Sequence, residues 1–235
     1  MVFDKISSPS LKDMFIQRVE DGILSGELEI GSKLPSERDL VEQMQISRNV
    51  ISIGIAELER IGFLEIRPRQ GVFIADYRKT GTMDTLVSIM RHNGGTLRKE
   101  DIRSMLEFRI FIETLTTRLA IERASDEELT TLEPYLEILR STKINKVAAQ
   151  ASFDFHHQMS IIGQNTLCPL IYYSFRPAML GLWERYCRLY GIKSLCQNKE
   201  AYYIALLERD IPKISGLIEQ IVNDSISGKN PLYSD

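Results

Sequence analysis

Cysteine is scarce in this chain: Cys168, Cys187 and Cys196 are odd in number, fall late in the sequence and include no Cys-x-x-Cys spacing. That pattern argues against a disulfide framework or a zinc knuckle, and for a reducing compartment. Long apolar runs are missing too. The longest uncharged stretch, residues 158–175, contains Gln, Asn, Ser and Pro and is too polar to span a membrane. Residues 1–15 show no basic start followed by an apolar segment, so no secretory signal is expected and the cytoplasm is the expected location. An excess of positive charge is also lacking: 29 Lys and Arg face 32 Asp and Glu, and residues 1–78 hold ten basic against 13 acidic side chains. If the protein binds nucleic acid, it does so through a local patch of cations.

What is present is an ordinary globular composition, 43% hydrophobic and 26% charged, over 235 residues, which is enough for two domains of unequal size. Apolar residues at Leu11, Met14, Phe15, Val19 and Ile23 recur with the helical period, and Ser25-Gly26 ends that helix. Ser36 followed three positions later by Asp39 reads as a capping box opening a second helix to about Met44. Ser47 caps a third helix through Arg60, with Ile51, Ile55 and Leu58 facing a core and Gly62 as its stop. Two short strands, Phe63–Ile66 and Val72–Ile74, flank a basic tip at Arg67–Gly71. Helix-turn-helix followed by a hairpin wing is the expectation for this half.

With Ile51 at the centre of the buried face, Asn49, Ser52, Ile53 and Ala56 fall on the far side of the third helix and Arg48 near its start. In a major groove Arg48 suits guanine or phosphate, Asn49 suits adenine, Ser52 suits a base or phosphate, and Ile53 suits a thymine methyl. The competing reading is a surface helix with ordinary solvated polar residues. The stretches Ile23–Leu28, Gly31–Leu40, Ile46-Ser47-Arg48, Gly62-Phe63-Leu64 and Arg69–Ile74 resemble the DNA-binding signature of the GntR family in order and spacing. That resemblance implies DNA contacts from Arg38, Ser47, Arg48, Asn49, Arg69, Gln70 and Gly71. Ser52 stands where the family usually has an arginine, so the family's commonest operator is not implied. Gly54 weakens the third helix by about 1 kcal/mol relative to alanine, unless close packing requires it.

From Lys99 onward every segment reads as helix: residues 100–123, 126 to about 140, 145–163, 166 to about 190, 199–209 and 210–227. No strand-period segment or phosphate loop appears there. Arg109 shares a face with Ile102, Met105, Leu106, Ile112, Glu113 and Thr116. A guanidinium on such a face needs an anion, either Glu113 four residues on or the carboxylate or phosphate of a ligand. His156 lies on a face of small and apolar residues, Ala149, Ser152, Phe153, Met159, Ser160 and Gly163, which suits either a core histidine or a pocket wall. Tyr172, Tyr173, Arg176, Trp183, Arg185, Tyr186 and Arg188 mix aromatic and cationic groups farther on. Core and dimer surface account for most of them, and Tyr172 and Arg176 are the candidates for facing a ligand.

Arg103–Arg109, Glu113, Leu119-Ala120, Arg123–Leu129, Phe155-His156 and Gly163-Gln164-Asn165 are similar to the FadR-type C-terminal domain of GntR regulators. The resemblance implies a helical bundle with a central effector cavity and a dimer contact. It also brings a metal site, built in many such domains from an Asp four residues before the His of Phe-His and two later histidines. Here Ser152 holds the first position, and the later ones fall near Lys199 and near Ile221 or Val222, so neither a metal nor a cofactor is expected.

The whole is therefore expected to be mainly α: a winged helix-turn-helix with a small β-hairpin over residues 1–78, a linker with one short helix over 79–98, an all-helical effector-binding and dimerisation domain over 99–228, and a tail over 229–235. The function implied is a dimeric regulator of a palindromic double-stranded operator, answering to an organic acid or acyl derivative at Arg109, Glu113, Ser152, His156, Tyr172 and Arg176. A bundle that only dimerises is the nearest alternative. An enzyme built on His156 with Cys187 lacks any nucleophile signature.

Overall fold

The computed structural model describes residues 9–91 and 99–232. The turn expected at residues 92–96, the rest of the expected linker to 98 and residues 233–235 of the tail lie outside them. The chain forms two compact units, residues 1–92 and 93–235.

Local capping chemistry fixes the helices of the first unit. In α1 (Leu11–Ser25), Ser10 and Asp13 form a reciprocal capping box and Gly26, at φ 84°, closes the end in the left-handed conformation. The same box, Ser36 with Asp39, opens α2 (Glu37–Met44), and Ser47 caps α3 (Arg48–Arg60). Phe15, Val19, Ile23, Leu40, Ile51, Ile55, Leu58, Phe63 and Ile74 make one core. Leu11 and Met14, which share the helical period, lie outside it and are exposed. Gly54 has a packing reason: a Cβ there would sit 2.3 Å from Cδ1 of Phe15, so α1 and α3 approach each other over a glycine.

The strands are β1 (Leu64–Arg67) and β2 (Gly71–Ile74), antiparallel with Leu64 opposite Ile74 and Arg67 opposite Gly71. Each differs by a residue from its expected span, because pairing runs up to a tight loop of Pro68, Arg69 and Gln70. The Gln70 amide donates to the Arg67 carbonyl at 3.0 Å, with proline second in the turn and Arg69 left-handed at φ 64°. Residues 31–34 run along the far edge of β2, with the Ile74 amide on the Ser32 carbonyl and the Leu34 amide on the Val72 carbonyl, both at 2.9 Å.

Where the sequence suggests one short helix, two follow: α4 (Tyr77–Thr80) and α5 (Met83–Arg91). Gly81 is extended between them, and the buried Thr85 hydroxyl accepts from the Thr82 amide at 2.8 Å and donates to the Ile61 carbonyl.

The second unit is all helical among the described residues: α6 (Lys99–Arg123), α7 (Asp126–Thr130), α8 (Glu133–Ser141), α9 (Asn145–Ile162), α10 (Cys168–Ser174), α11 (Arg176–Leu207) and α12 (Ile211–Ile226). Three boundaries differ from expectation. The helix foreseen through Arg140 divides into α7 and α8, with Pro134 in the first turn of α8. The one foreseen from Thr166 to Tyr190 divides at Phe175, with Pro177 in the first turn of α11. Within α11 the backbone leaves helical geometry at Gly191, at φ 81° and ψ 154°, so the span is two helices joined at a kink: the first ends near Tyr190 as expected, and the second resumes directly after Gly191 rather than at Lys199. At the centre lies α9, packed by α6, α8, α10 and α11, while α12 lies against α6 and α11. Alanines 148, 149 and 151 and Ser152 let its neighbours close in.

The Gly54–Phe15 approach predicts that Gly54→Ala destabilises the first unit by about 1–3 kcal/mol, as overpacking does, although alanine is the better helix former. Urea unfolding of the variant measures it. A gain in stability would contradict the packing argument, and adding Phe15→Leu should restore part of the loss.

Candidate functional site

Two sets of residues stand out, one on the surface of the first unit and one inside the second. On α3 the side chains of Arg48, Asn49, Ser52, Ile53 and Ala56 are exposed, opposite the buried Ile51, Ile55 and Leu58. Ser47 is engaged as the N-cap, its hydroxyl accepting from the Val50 amide at 3.4 Å. Arg48 bridges the starts of α2 and α3 through Glu37 at 2.9 Å, and Arg38 pairs with Glu42 at 3.2 Å. Both pairs are solvent-exposed and therefore weak, so phosphate can replace the carboxylate at little expense. Arg69 and Gln70 are exposed at the hairpin tip, and Gly71, at φ 119°, leaves room for the Lys33 side chain, whose Cε lies 2.6 Å from where its Cβ would be. Arg67 lies over the Phe73 ring at 4.3 Å. Cations thus gather at the wing of a half-chain whose overall charge is acidic.

Inside the bundle, Arg109 and Glu113 on α6 pair at 2.5 Å while almost wholly buried. His156 of α9 brings Nε2 to 3.6 Å from the same Glu113 oxygen. Its ring stacks on Trp183 of α11, centroids 5.6 Å apart, and lies 6.2 Å from the ring of Tyr172 on α10. Lys199 of α11, buried to 3% exposure, sets its ammonium 2.5 Å from His156 Nε2 and 5.1 Å from the Trp183 ring. Arg109 lies 5.0 Å from that ring. Tyr202 shares its hydroxyl with Thr117. Ser152 Oγ, His156 Nδ1, Tyr172 OH and Trp183 Nε1 are buried with no hydrogen-bond partner among the described residues.

The protonation states follow from this crowding. Burial, then the charges of Lys199 and Arg109, hold His156 well below its ordinary value, so the ring is neutral. Burial opposes the charge of Arg109, but Glu113 outweighs it and keeps the guanidinium above its usual value. Burial and the neighbouring Arg109 bring Lys199 down to about 7. Burial and Glu113 push the Tyr172 and Tyr202 hydroxyls up, so both stay protonated donors.

Of the residues proposed from sequence, Arg109, Glu113, His156 and Tyr172 meet in this cluster, and Ser152 is buried one turn before His156 on α9. Arg176 stands apart: it hydrogen-bonds Gln150 at 2.6 Å and, with Ile138, Val147, Asp154 and Glu184, lines a surface groove between α8, α9 and α11. Lys199 was missed, as was the part Trp183 plays. Its signal was present, because Leu195, Lys199, Tyr202 and Leu206 keep the spacing of a buried helical stripe. Among the described residues no group of three His, Cys, Asp or Glu side chains is gathered to hold a metal ion, and no helix is long and apolar enough to cross a membrane.

A helix-turn-helix with a hairpin wing, followed by a bundle with a polar centre, defines the class of DNA-binding regulators that carry a separate helical domain. The model described as bacterial regulatory proteins, gntR family, matches residues 11–74, and that of the FCD domain matches residues 104–224. The chain belongs to the GntR family with an FCD domain, the FadR-like C-terminal domain, and is a transcriptional regulator rather than an enzyme. It is 26% identical over 146 residues to the HTH-type transcriptional regulator LutR of Bacillus subtilis, covering 62% of this chain and 64% of that one. To the HTH-type transcriptional repressor NanR of Enterobacter sp. it is 28% identical over 167 residues, covering 69% and 62%. The chain thus spans a little under two thirds of the length of these two relatives. Among solved structures, Lar, described as controlling the expression of the Listeria monocytogenes agr system, matches with a TM-score of 0.58 at 15% identity, over 94% of this chain and 97% of that one, and shares the fold.

Glu113→Gln leaves Arg109 and Lys199 buried without a counter-charge, and should destabilise the helical unit by about 3–5 kcal/mol. Trp183, the single tryptophan, reports the unfolding of that unit by fluorescence. A second expectation concerns pH. Lys199 binds its proton up to about 7 in the fold and up to about 10.5 when unfolded, so between these values the unfolded chain holds the extra proton and stability rises with pH. Urea midpoints at pH 7 and pH 9 should show that rise, and Lys199→Met should flatten it. An unchanged slope in the variant would mean that the ammonium is not buried as described.

Proposed function

We propose that the protein binds a palindromic operator as a homodimer in the cytoplasm, and that a small organic acid or acyl derivative held in the buried cluster alters that binding. The exposed face of α3 carries the DNA part of the reading: Asn49, Ser52 and Ile53 point away from the core on a helix whose start is fixed by Ser47 and whose flank carries the basic wing. Asn49 offers the bidentate pair that adenine accepts, Ser52 a single hydrogen bond, and Ile53 a contact for a thymine methyl. Arg38, Arg48, Arg69, Gln70 and the Gly71 backbone supply phosphate and wing contacts. With Ser52 where relatives carry arginine, specificity shifts from guanine toward weaker or apolar contacts. Support for effector control comes from the inward charges of the bundle, which have no structural need that an apolar core would not meet better. Differential affinity of the ligand for two arrangements of the dimer would then set operator affinity.

Selection of bound duplexes from a random pool, at near-physiological salt with non-specific competitor, tests the reading. A short palindrome should be enriched. Asn49→Ala should lose about 1–3 kcal/mol on the selected site and relax preference at one position of each half-site, whereas Arg69→Ala should weaken all sequences alike and lower the salt dependence. Retention without any enriched sequence would remove the operator from the proposal.

A further inference from the structure

Lys199 leaves the buried cluster with a charge that its own residues do not cancel. From α6 come Arg109 and Glu113, which pair. From α9 comes His156, neutral through burial and its cationic neighbours. Tyr172 of α10 and Trp183 and Tyr202 of α11 bring no charge, and the buried residues of α12, Ile214, Ile218, Val222 and Ser225, bring none. When protonated, the ammonium of Lys199 is therefore one positive charge in excess. It also fixes the histidine tautomer: an ammonium only donates, so Nε2 accepts and Nδ1 carries the hydrogen. The unpartnered atoms then all become donors, namely Ser152 Oγ, His156 Nδ1, Tyr172 OH and Trp183 Nε1. A donor-rich, singly positive interior matches an acceptor-rich, singly negative guest.

The same residues do not fit a metal ion. The one imidazole nitrogen turned toward the cluster's charges is taken by an ammonium, Ser152 offers no carboxylate four residues before His156, and Val222 offers no ligand on α12.

We propose that this cluster is a metal-independent site for a small monocarboxylate, held between Lys199 and Arg109 and by part of the set of unpartnered donors. The proposal rests on the reading of the cluster as the effector site, and adds the ligand's charge and the residue that sets it. A carboxylate has about four acceptor positions on two oxygens, enough for Lys199, Arg109 and a part of the waiting donors. A dianion would leave a net negative charge in the interior. Trp183, Tyr202 and Phe155, whose rings pack around His156 at centroid distances of 5.2–5.6 Å, give the acid's apolar part a wall. Because Lys199 sits near 7 without a guest, an anion beside it draws a proton on, and affinity falls up to about tenfold for each pH unit above that value.

The test uses the full chain in EDTA, with Trp183 fluorescence and thermal unfolding as readouts. Acetate, propionate, butyrate and benzoate are titrated as monoanions, succinate and sulfate as dianions. At least one monocarboxylate should stabilise the protein saturably, at least tenfold more tightly at pH 7 than at pH 9, and Lys199→Met should abolish the response while remaining folded. The isosteric pair Ser152→Ala with Tyr172→Phe maps the place of binding. A response kept by Lys199→Met but lost by that pair would leave the effector site standing and overturn the role of Lys199. If both variants respond like the wild type, the site itself is wrong. Response only to dianions, only after zinc is added, or to none of these acids overturns the monocarboxylate assignment.

Discussion

A helix packed by four others has to satisfy from its neighbours the polar side chains it buries, and α9 is such a helix. Ser152, His156 and Ser160 are buried along it among alanines and phenylalanines. Water cannot reach them, so each needs a partner from α6, α10 or α11, and leaving one unmet costs about 1–3 kcal/mol. The arrangement of the bundle around α9 answers part of this demand. Arg109 and Glu113 face it from α6, Lys199 answers His156 from α11, and the Ser160 hydroxyl turns back to the His157 carbonyl at 2.6 Å. Of the six buried side-chain atoms left without a hydrogen-bond partner among the described residues, four belong to α9 and to the α10 and α11 residues Tyr172 and Trp183, a concentration that separates a site from a packing fault.

The two units handle charge in opposite ways. On the first, Arg38 and Arg48 hold carboxylates at the surface, where water and salt weaken each pair and make it easy to exchange for phosphate. In the second, Arg109 and Lys199 are locked away, where each interaction is strong and each mismatch expensive. On the proposed reading, the former suits a surface that exchanges one partner for another, and the latter a site that responds to one small molecule. The acidic balance of residues 1–78 is also compatible with the proposed DNA contact, since arginines held in exposed pairs, Arg67 with Glu65 among them, and the wing's Lys33 and Arg69 place cations locally while the domain as a whole stays negative.

How much of this could be read beforehand follows the range of the forces involved. Ser36 with Asp39, Ser47, and the spacing of Ile51, Ile55 and Leu58 are local signals, so α2 and α3 were legible to the residue or nearly so. Pro134 and Pro177 are local too, yet a proline is compatible with the first turn of a new helix as well as with a kink, and the sequence alone did not separate those outcomes. Gly191 shows the converse: a single residue at positive φ divides α11 into two helices with no loop between them, so the restart falls directly after it rather than at Lys199. Arg109 and Glu113 were legible as a pair because they share a helix. Lys199 and His156 lie 43 positions apart, and only the packing of α11 on α9 brings them together.

Gly54 shows how a residue that weakens its own helix can be required by the fold. The recognition helix is held against α1 by Phe15, whose ring occupies the volume a Cβ at Gly54 would need. That places the exposed face of α3 at a distance from the core set by backbone contact rather than by a flexible side chain. Asn49 and Ser52 are then carried on a helix whose depth in its domain has little freedom to vary, which would matter if they read bases as proposed, because such readout depends on close placement of short side chains. With serine rather than a long arginine at position 52, rigidity of the scaffold would, on the proposed reading, take over part of what reach would otherwise supply.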